Sequence, residues 1–216
     1  MGHLDAIYQN RFGSREAARR SAMWREIAGF LQRWVPLDGA ILDLACGEGE
    51  FIRHIRARER WASDSRDAAA GLPGVRFIQA NGRELLDAVP PGSFDAIFVS
   101  NYLEHLPSGE AVVEQLRVCA ALLRRGGRVI ILQPNIRLTG PAYWDFIDHQ
   151  TPLTERSLVE AATIAGFRTE QVLTRFLPYT TKGRLPSHPL LVRAYLRFRP
   201  AWLLLGRQTL YIGKTG

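Results

Sequence analysis

The sequence predicts an α/β fold, a largely parallel sheet with helices on both faces. Three observations carry that expectation. Short apolar runs alternate with amphipathic stretches of helical period along the chain. Several of the runs, FDAIFVS and RVIILQP among them, are apolar at successive positions, as strands buried on both faces must be. The first run, AILDLA, breaks into a glycine-rich corner, CGEGEF, before an amphipathic segment resumes.

Each element follows in order. Residues 13–35 read as a helix with Ala18, Ala22, Ile27, Phe30, Leu31 and Val35 near one face, stopped by Pro36. AILDLA is a strand, and GEFIRHIRAR a helix opening at the glycine turn. RWASD is a strand ending in Asp64; VRFIQA and FDAIFVS are two more. GEAVVEQLRVCAALLRRGG reads as a helix with a glycine stop, followed by the strand RVIILQP. TERSLVEAATIAGF begins at a threonine cap and ends at Gly166. RTEQVLTRFLP and RQTLYIGKT alternate as late strands. Between them, LPSHPLLVRAYLRFRPAWLLLGRQ reads as a basic amphipathic insertion over 178–206, with Leu190, Leu191, Ala194, Tyr195 and Phe198 on one helical face and Arg193 and Arg197 on another. The whole, 1–216, reads as one domain whose residues 1–37 form an N-terminal helical lid. In such sheets ligands bind beyond the carboxyl ends of the strands, so the loops after Leu44, Ala62, Gln79, Val99 and Leu132 should surround one crevice.

Composition bounds the function. A 216-residue chain with 46% apolar residues can bury a sizeable core, and its longest apolar stretches, such as AWLLL, are far too short to cross a membrane. Residues 1–12 lack the apolar core of a signal peptide, and Cys46 and Cys119 show neither metal spacing nor a disulfide framework, so a cytoplasmic setting is expected. The net charge of +7 suits anionic substrates, nucleic acid or an anionic membrane face. It is concentrated late: no acidic residue follows Glu170.

The glycine corner admits two readings. It is a tight strand-to-helix turn, or it is a cradle in which Gly47 and Gly49 let backbone N–H groups approach a ligand beside a helix N-terminus. The run A-C-G-E-G-E lacks the third glycine of a dinucleotide fingerprint. The pattern D-x-A-x-G-x-G from Asp43, an acid after strand two and FDAIFVSNYLEHL as strand four instead resemble the class I S-adenosylmethionine-dependent methyltransferases. SNYLEHL resembles their small-molecule branch, with ubiquinone-type enzymes, and GGRVIILQPN and TERSLVEAATIAGF match the fifth strand and following helix. The resemblance covers about residues 38–178. It implies a Rossmann-like seven-stranded sheet, mostly parallel with an antiparallel last strand, and S-adenosyl-L-methionine as cofactor, with S-adenosyl-L-homocysteine as product. Ala45 departs from the family's first glycine, and Asn81 from its usual aspartate.

The resemblance also implies roles. Asp43 would orient the glycine loop or reach the methionine amine through water. Ala45, Gly47 and Gly49 would contact the methionine moiety. Asp64 would take the ribose hydroxyls, with Ser65 beside the adenine, and Asn81 and Gly82 would frame the adenine edge. Ser100 and Asn101 would present backbone near the sulfonium, and Tyr8 and Arg11 would close over the methionine end. A hydroxyl acceptor benefits from a general base, and His105, His149, Asp145 and Asp148 are the candidates, with Tyr102 next to the methyl group. YWDFIDHQ holds three of these in one short loop, though its aromatics would equally serve as a core plug. No second cluster supports a metal. No [DNS]-P-P-[YFW] motif follows strand four, which sets nucleic-acid bases aside. A looser resemblance of residues 133–205 to bacterial glycan-biosynthesis methyltransferases favours O-methylation of a small-molecule or glycan hydroxyl. A natural-product acceptor is the alternative, and a protein or nucleic-acid acceptor comes after it. Residues 188–205 would allow peripheral membrane contact at the inner face, or serve as a lid or packing element.

Overall fold

The computed structural model describes residues 14–67, 69–80, 82–179 and 188–216. Tyr8, Arg11 and Asn81 lie outside them, as does the first part of the expected lid. Helix α1, Ser14–Leu31, is followed by a 3-10 turn at Gln32–Trp34, and then by β1, Ala40–Leu44. Next come β2, Glu59–Asp64; β3, Arg76–Gln79; α2, Glu84–Ala88; and β4, Phe94–Ser100. A 3-10 turn at Leu103–His105 leads to α3, Gly109–Leu122, and β5, Leu123–Pro134. The chain continues through α4, Ile136–Thr139, a 3-10 turn at Gly140–Asp145, α5, Glu155–Ile164, and β6, Arg168–Leu173. It closes with α6, Pro189–Arg197, α7, Arg199–Leu205, and β7, Gln208–Lys214.

The strands form one seven-stranded sheet in the order β3-β2-β1-β4-β5-β7-β6. Strands β1 to β5 pair in parallel, and β7 enters antiparallel to both β5 and β6. The expected architecture is therefore present, including the antiparallel last strand. The chain order reverses between β1 and β4, so the crevice opens beyond Leu44 and Ser100.

The continuous apolar runs are explained by burial on two faces. All of β1 is buried, and β4 is buried at five of its seven positions. One face packs Leu42, Ile97, Val99 and Ile131 against α3 and α5, through residues such as Leu116 and Leu158. The other packs Ile41, Phe98 and Ile130 against Ile27 and Leu31 of α1 and against Trp202 of α7. Helix α5 starts at the expected cap, where Thr154 and Ser157 bond reciprocally, and Gly166 after it has φ +96°.

Three expected elements differ. The segment after the glycine corner is a run of turns rather than a regular helix. The Ile52 N–H is taken by the Asp43 carboxylate at 3.3 Å, and the His54 N–H bonds only three residues back, so the i to i−4 ladder is broken twice. Helix α3 stops at Leu122 and not at the double glycine. Buried Leu123 already pairs with Phe94, and a register shift absorbs the residues up to Gly127 before Arg128 pairs with Ala96. The basic insertion is two short helices, because Pro200 opens a new helix where a single one would have continued.

Candidate active site

The carboxyl end of β1 turns through three consecutive left-handed positions on alternate residues: Ala45, Gly47 and Gly49 have φ of +54°, +54° and +70°. Glycine adopts that geometry freely, while alanine pays a steric cost in it. The two glycines do different work. A Cβ added to Gly47 would meet nothing within 4 Å, so its backbone borders open space on the crevice side. A Cβ on Gly49 would lie 2.4 Å from Leu72 Cδ1, so here the loop is closed against side chains, and the φ of +70° itself favours glycine. Gly49 lets the loop close onto Leu72 and Ala69.

Two acids brace this loop. Asp43 is 3% exposed and accepts the Ile52 N–H, so it ties the strand end to the turn beyond the glycines. Burial pushes its carboxyl up to about 8. Asp64 ends β2, where one oxygen accepts the Gly47 N–H at 2.9 Å and the other accepts the Arg66 N–H at 3.0 Å. The Arg66 guanidinium stands 3.6 Å from it, and Ser65 Oγ donates to it at 3.5 Å. A carboxylate offers about four acceptor directions, so these three protein hydrogen bonds leave one for a ribose hydroxyl, on the oxygen that takes the Gly47 N–H. The donor set therefore fits S-adenosylmethionine: open space over Gly47, and an anionic edge at Asp64.

Across the switch point, β4 ends at Ser100, and Asn101 takes φ +48°. Asparagine is the non-glycine residue that best tolerates this region. The Asn101 N–H donates to the Leu132 carbonyl, which locks the turn to β5. Gly82, with φ +41°, faces Gln115 of α3: an added Cβ would meet the Gln115 Oε1 at 3.2 Å. Tyr102 is turned the same way, its hydroxyl donating to that Gln115 oxygen at 3.2 Å. Burial pushes the phenol up to about 12, and the partly buried ring packs against the core beside α3.

The titratable residues gather around His105. Its Nδ1 lies 2.9 Å from the Asp148 carbonyl and 3.6 Å from the Asp148 carboxylate, and its Nε2 lies 4.0 Å from the Glu104 carboxylate. The His149 ring meets it edge-on at 5.1 Å and stacks on Phe146. Asp148, not Asp145, is thus the acid that YWDFIDHQ delivers to His105; Asp145 is exposed at the end of the 3-10 turn. The core plug of the same loop is Tyr143, whose hydroxyl donates to the Thr151 carbonyl, while Trp144 is exposed.

Glu104 was passed over in the sequence. It is fully buried, accepts an N–H from Gln133 at 3.1 Å, and burial pushes it up to about 7. Its one legible signal is an acid set between leucines, beside His105, in the YLEHL turn. Ligand atoms of Glu104, His105 and His149 lie within 4.8 Å of one another, so the three side chains can share a proton or hold a cation.

Residues 16–172 match the family described as "Methyltransferase domain". A ubiquinone biosynthesis O-methyltransferase of Xylella fastidiosa (strain 9a5c) is 36% identical over 118 residues, which cover 49% of this chain and 46% of that protein. The chain thus spans about half the length of the curated relatives it matches. A crystal structure of a SAM dependent methyltransferase from Archaeoglobus fulgidus aligns with TM-score 0.67 and 19% identity over 99% of this chain and 100% of that one. Geranyl diphosphate C-methyltransferase from Streptomyces coelicolor A3(2), in a complex with Mg2+, geranyl diphosphate and S-adenosyl-L-homocysteine, aligns with TM-score 0.60 and 16% identity over 88% and 78%. At these identities the structural likeness concerns the fold.

Proposed function

The chain belongs to the methyltransferase-domain family, with S-adenosylmethionine as its methyl donor, and on that premise we propose that it methylates a hydroxyl of a small molecule or glycan. When bound, the cofactor supplies an electrophilic sulfonium methyl and leaves as S-adenosylhomocysteine. In this reading the Gly47 backbone and Asp64 hold it, Asp43 and Asn101 stiffen the two loops around it, and Ser100 borders the sulfonium.

The observation that carries the choice of a hydroxyl is the His105 cluster. A hydroxyl must lose its proton as oxygen attacks the methyl carbon, and an imidazole within hydrogen-bond reach is suited to accept it. The Asp148 carbonyl 2.9 Å from Nδ1 favours the tautomer with the proton on that nitrogen, which leaves Nε2 unprotonated and able to act as the base. Glu104 and Asp148 then stabilise the imidazolium that forms. The 36% identity, over about half the chain, to an enzyme named for O-methylation supports the same class of acceptor. A natural-product acceptor is the second reading, supported by the exposed Trp144 and Ile147 on the loop that carries His149. The place of action we infer is the cytoplasm, with peripheral membrane contact through residues 188–205; no described helix is long and apolar enough to cross a membrane.

The test is methyl transfer from labelled cofactor to a panel of catechols, nucleotide sugars and lipid-linked sugars. His105→Ala should slow turnover about 100-fold while cofactor affinity stays at the wild-type value. His149→Ala should slow it less, because His149 touches the base and not the acceptor. Full turnover in both variants would remove the histidine pair from the reaction.

A further inference from the structure

Helices α6 and α7 are firmly seated, yet they present apolar side chains to solvent. Inward, Leu196 and Trp202 are buried, the Tyr195 hydroxyl donates to the Phe176 carbonyl at 2.5 Å, and the Trp202 indole donates to the Tyr195 carbonyl at 2.8 Å. Tyr195 therefore leaves the outer face on which the sequence put it. Outward, Leu190 and Ala194 are exposed one turn apart on α6, and Phe198, which caps its end, is exposed as well. Leu203 and Leu204 of α7 are 69% and 80% exposed. Ten large apolar side chains are exposed among the described residues, and six of them fall within 190–205, so this is a patch and not scatter.

The patch adjoins a cationic cleft. A cavity of about 520 Å³ between α1 and the two helices is lined by Arg33, Arg193, Arg197 and Arg199 around Phe30 and Trp202. Among the described residues its one acid is Glu26, and Arg193 engages both of that carboxylate's oxygens at 2.7 and 2.8 Å. The remaining three guanidinium groups leave the cleft with a surplus of positive charge beside exposed leucines. Guanidinium groups at phosphate level, with leucine and phenylalanine just below, are the arrangement an amphipathic surface presents to a bilayer interface. A neutral protein partner would account for the leucines but not for the arginines; anionic lipid accounts for both.

We propose that the α6–α7 face docks on an anionic phospholipid bilayer. Phe198, Leu203 and Leu204 enter the headgroup–acyl boundary, while Arg33, Arg197 and Arg199 gather lipid phosphates. The inference deepens the membrane contact proposed above and does not depend on methyl transfer. Arg207 links this face to the crevice, since its guanidinium donates to the Leu138 carbonyl on the loop after β5. A docked protein would thus hold the rim of its crevice near the surface.

The experiment is co-sedimentation of the full chain with phosphatidylcholine vesicles, with and without phosphatidylglycerol. Cofactor affinity and thermal stability are measured alongside. The wild type should bind the phosphatidylglycerol vesicles and release as salt rises, because exposed charges are screened over about 8–10 Å. Combined substitution of Arg33→Gln, Arg197→Gln and Arg199→Gln should weaken that binding about 100-fold, at roughly five-fold per cation. The pair Leu203→Gln and Leu204→Gln should weaken it at least about ten-fold. Both variants should retain wild-type cofactor affinity and stability, so loss of the lipid effect is separable from failure of the methyltransferase reading. Equal binding to both vesicle types, no binding, or variants that bind like the wild type would overturn the proposal. So would a dimer, seen by sedimentation velocity, that the leucine variants abolish while vesicles go unbound. Binding of free pyrophosphate without vesicles would likewise reassign the cleft to a soluble ligand.

Discussion

Ala45 is held in a backbone region that costs an L-residue about 1–2 kcal/mol, at the point where β1 meets the cofactor loop. Ala45→Gly should relieve that strain. The extra freedom of glycine in the unfolded chain offsets about 0.4–1 kcal/mol of it, so a net gain of up to about 1 kcal/mol is expected in denaturant unfolding. A clear loss would mean that the Ala45 methyl packs favourably enough to outweigh its torsion. Asp43 makes a second prediction, on pH. Its folded-state pKa lies above the unfolded value, so its contribution to stability is fully present below about pH 4 and is lost as pH rises through about 8. Glu104 acts in the same direction, through about 7. The Asp43→Asn variant keeps an oxygen for the Ile52 N–H and removes one of the two ionisations, so its melting temperature should fall less than that of the wild type between pH 5 and 9. Parallel profiles would show that Asp43 is ionised in the folded protein without penalty. At this scale the motif residues Asp43, Gly47 and Asp64 were legible because strand ends and glycine turns are local. Glu104 was not, because its meaning lies in a burial that contacts from β5 create. The surroundings of Tyr102 and Gly49 are hidden for the same reason: nothing in the sequence shows that Gln115 and Leu72 stand across from them.

At the scale of elements, the alternation of buried strands and helices was readable except after the glycine corner, where turns replace the expected helix, and the sheet has its last strand antiparallel. The ends of elements were less so. Hydrophobic Leu122 and Leu123 continue a helical period through the point where the chain in fact enters β5, and only pairing with Phe94 decides it. The seating of α7 turns on Gly206. A Cβ there would lie 2.6 Å from the Trp202 carbonyl and 2.8–2.9 Å from the backbone of Arg175 and Phe176, where neither side can yield cheaply. Gly206→Ala should therefore destabilise by about 1–3 kcal/mol, as overpacking against backbone does. It should also raise amide exchange in α7 ahead of the β1–β4 core. A silent substitution would mean that the insertion is loosely attached, and would weaken its reading as a rigid docking face.

For the whole molecule, topology joins two surfaces that lie far apart in sequence. The switch point between β1 and β4 gathers the glycine loop, Asp64 and the His105 cluster at one end of the sheet. The antiparallel β7 returns the chain to that end, where Arg207 ties the insertion to the loop after β5. The family and its cofactor follow from the first surface, and everything proposed about chemistry depends on Gly47 and Asp64 holding that cofactor. Calorimetric titration with S-adenosylmethionine addresses this directly, comparing the wild type with Asp64→Asn and Asp64→Ala. Asparagine keeps an acceptor for the Gly47 N–H and loses the charge, whereas alanine loses both. The account predicts saturable binding by the wild type, and weakening of about 1–3 kcal/mol for alanine with a smaller loss for asparagine. Wild-type affinity in both variants, each folded to the wild-type melting temperature, would contradict it and take Asp64 out of the cofactor site.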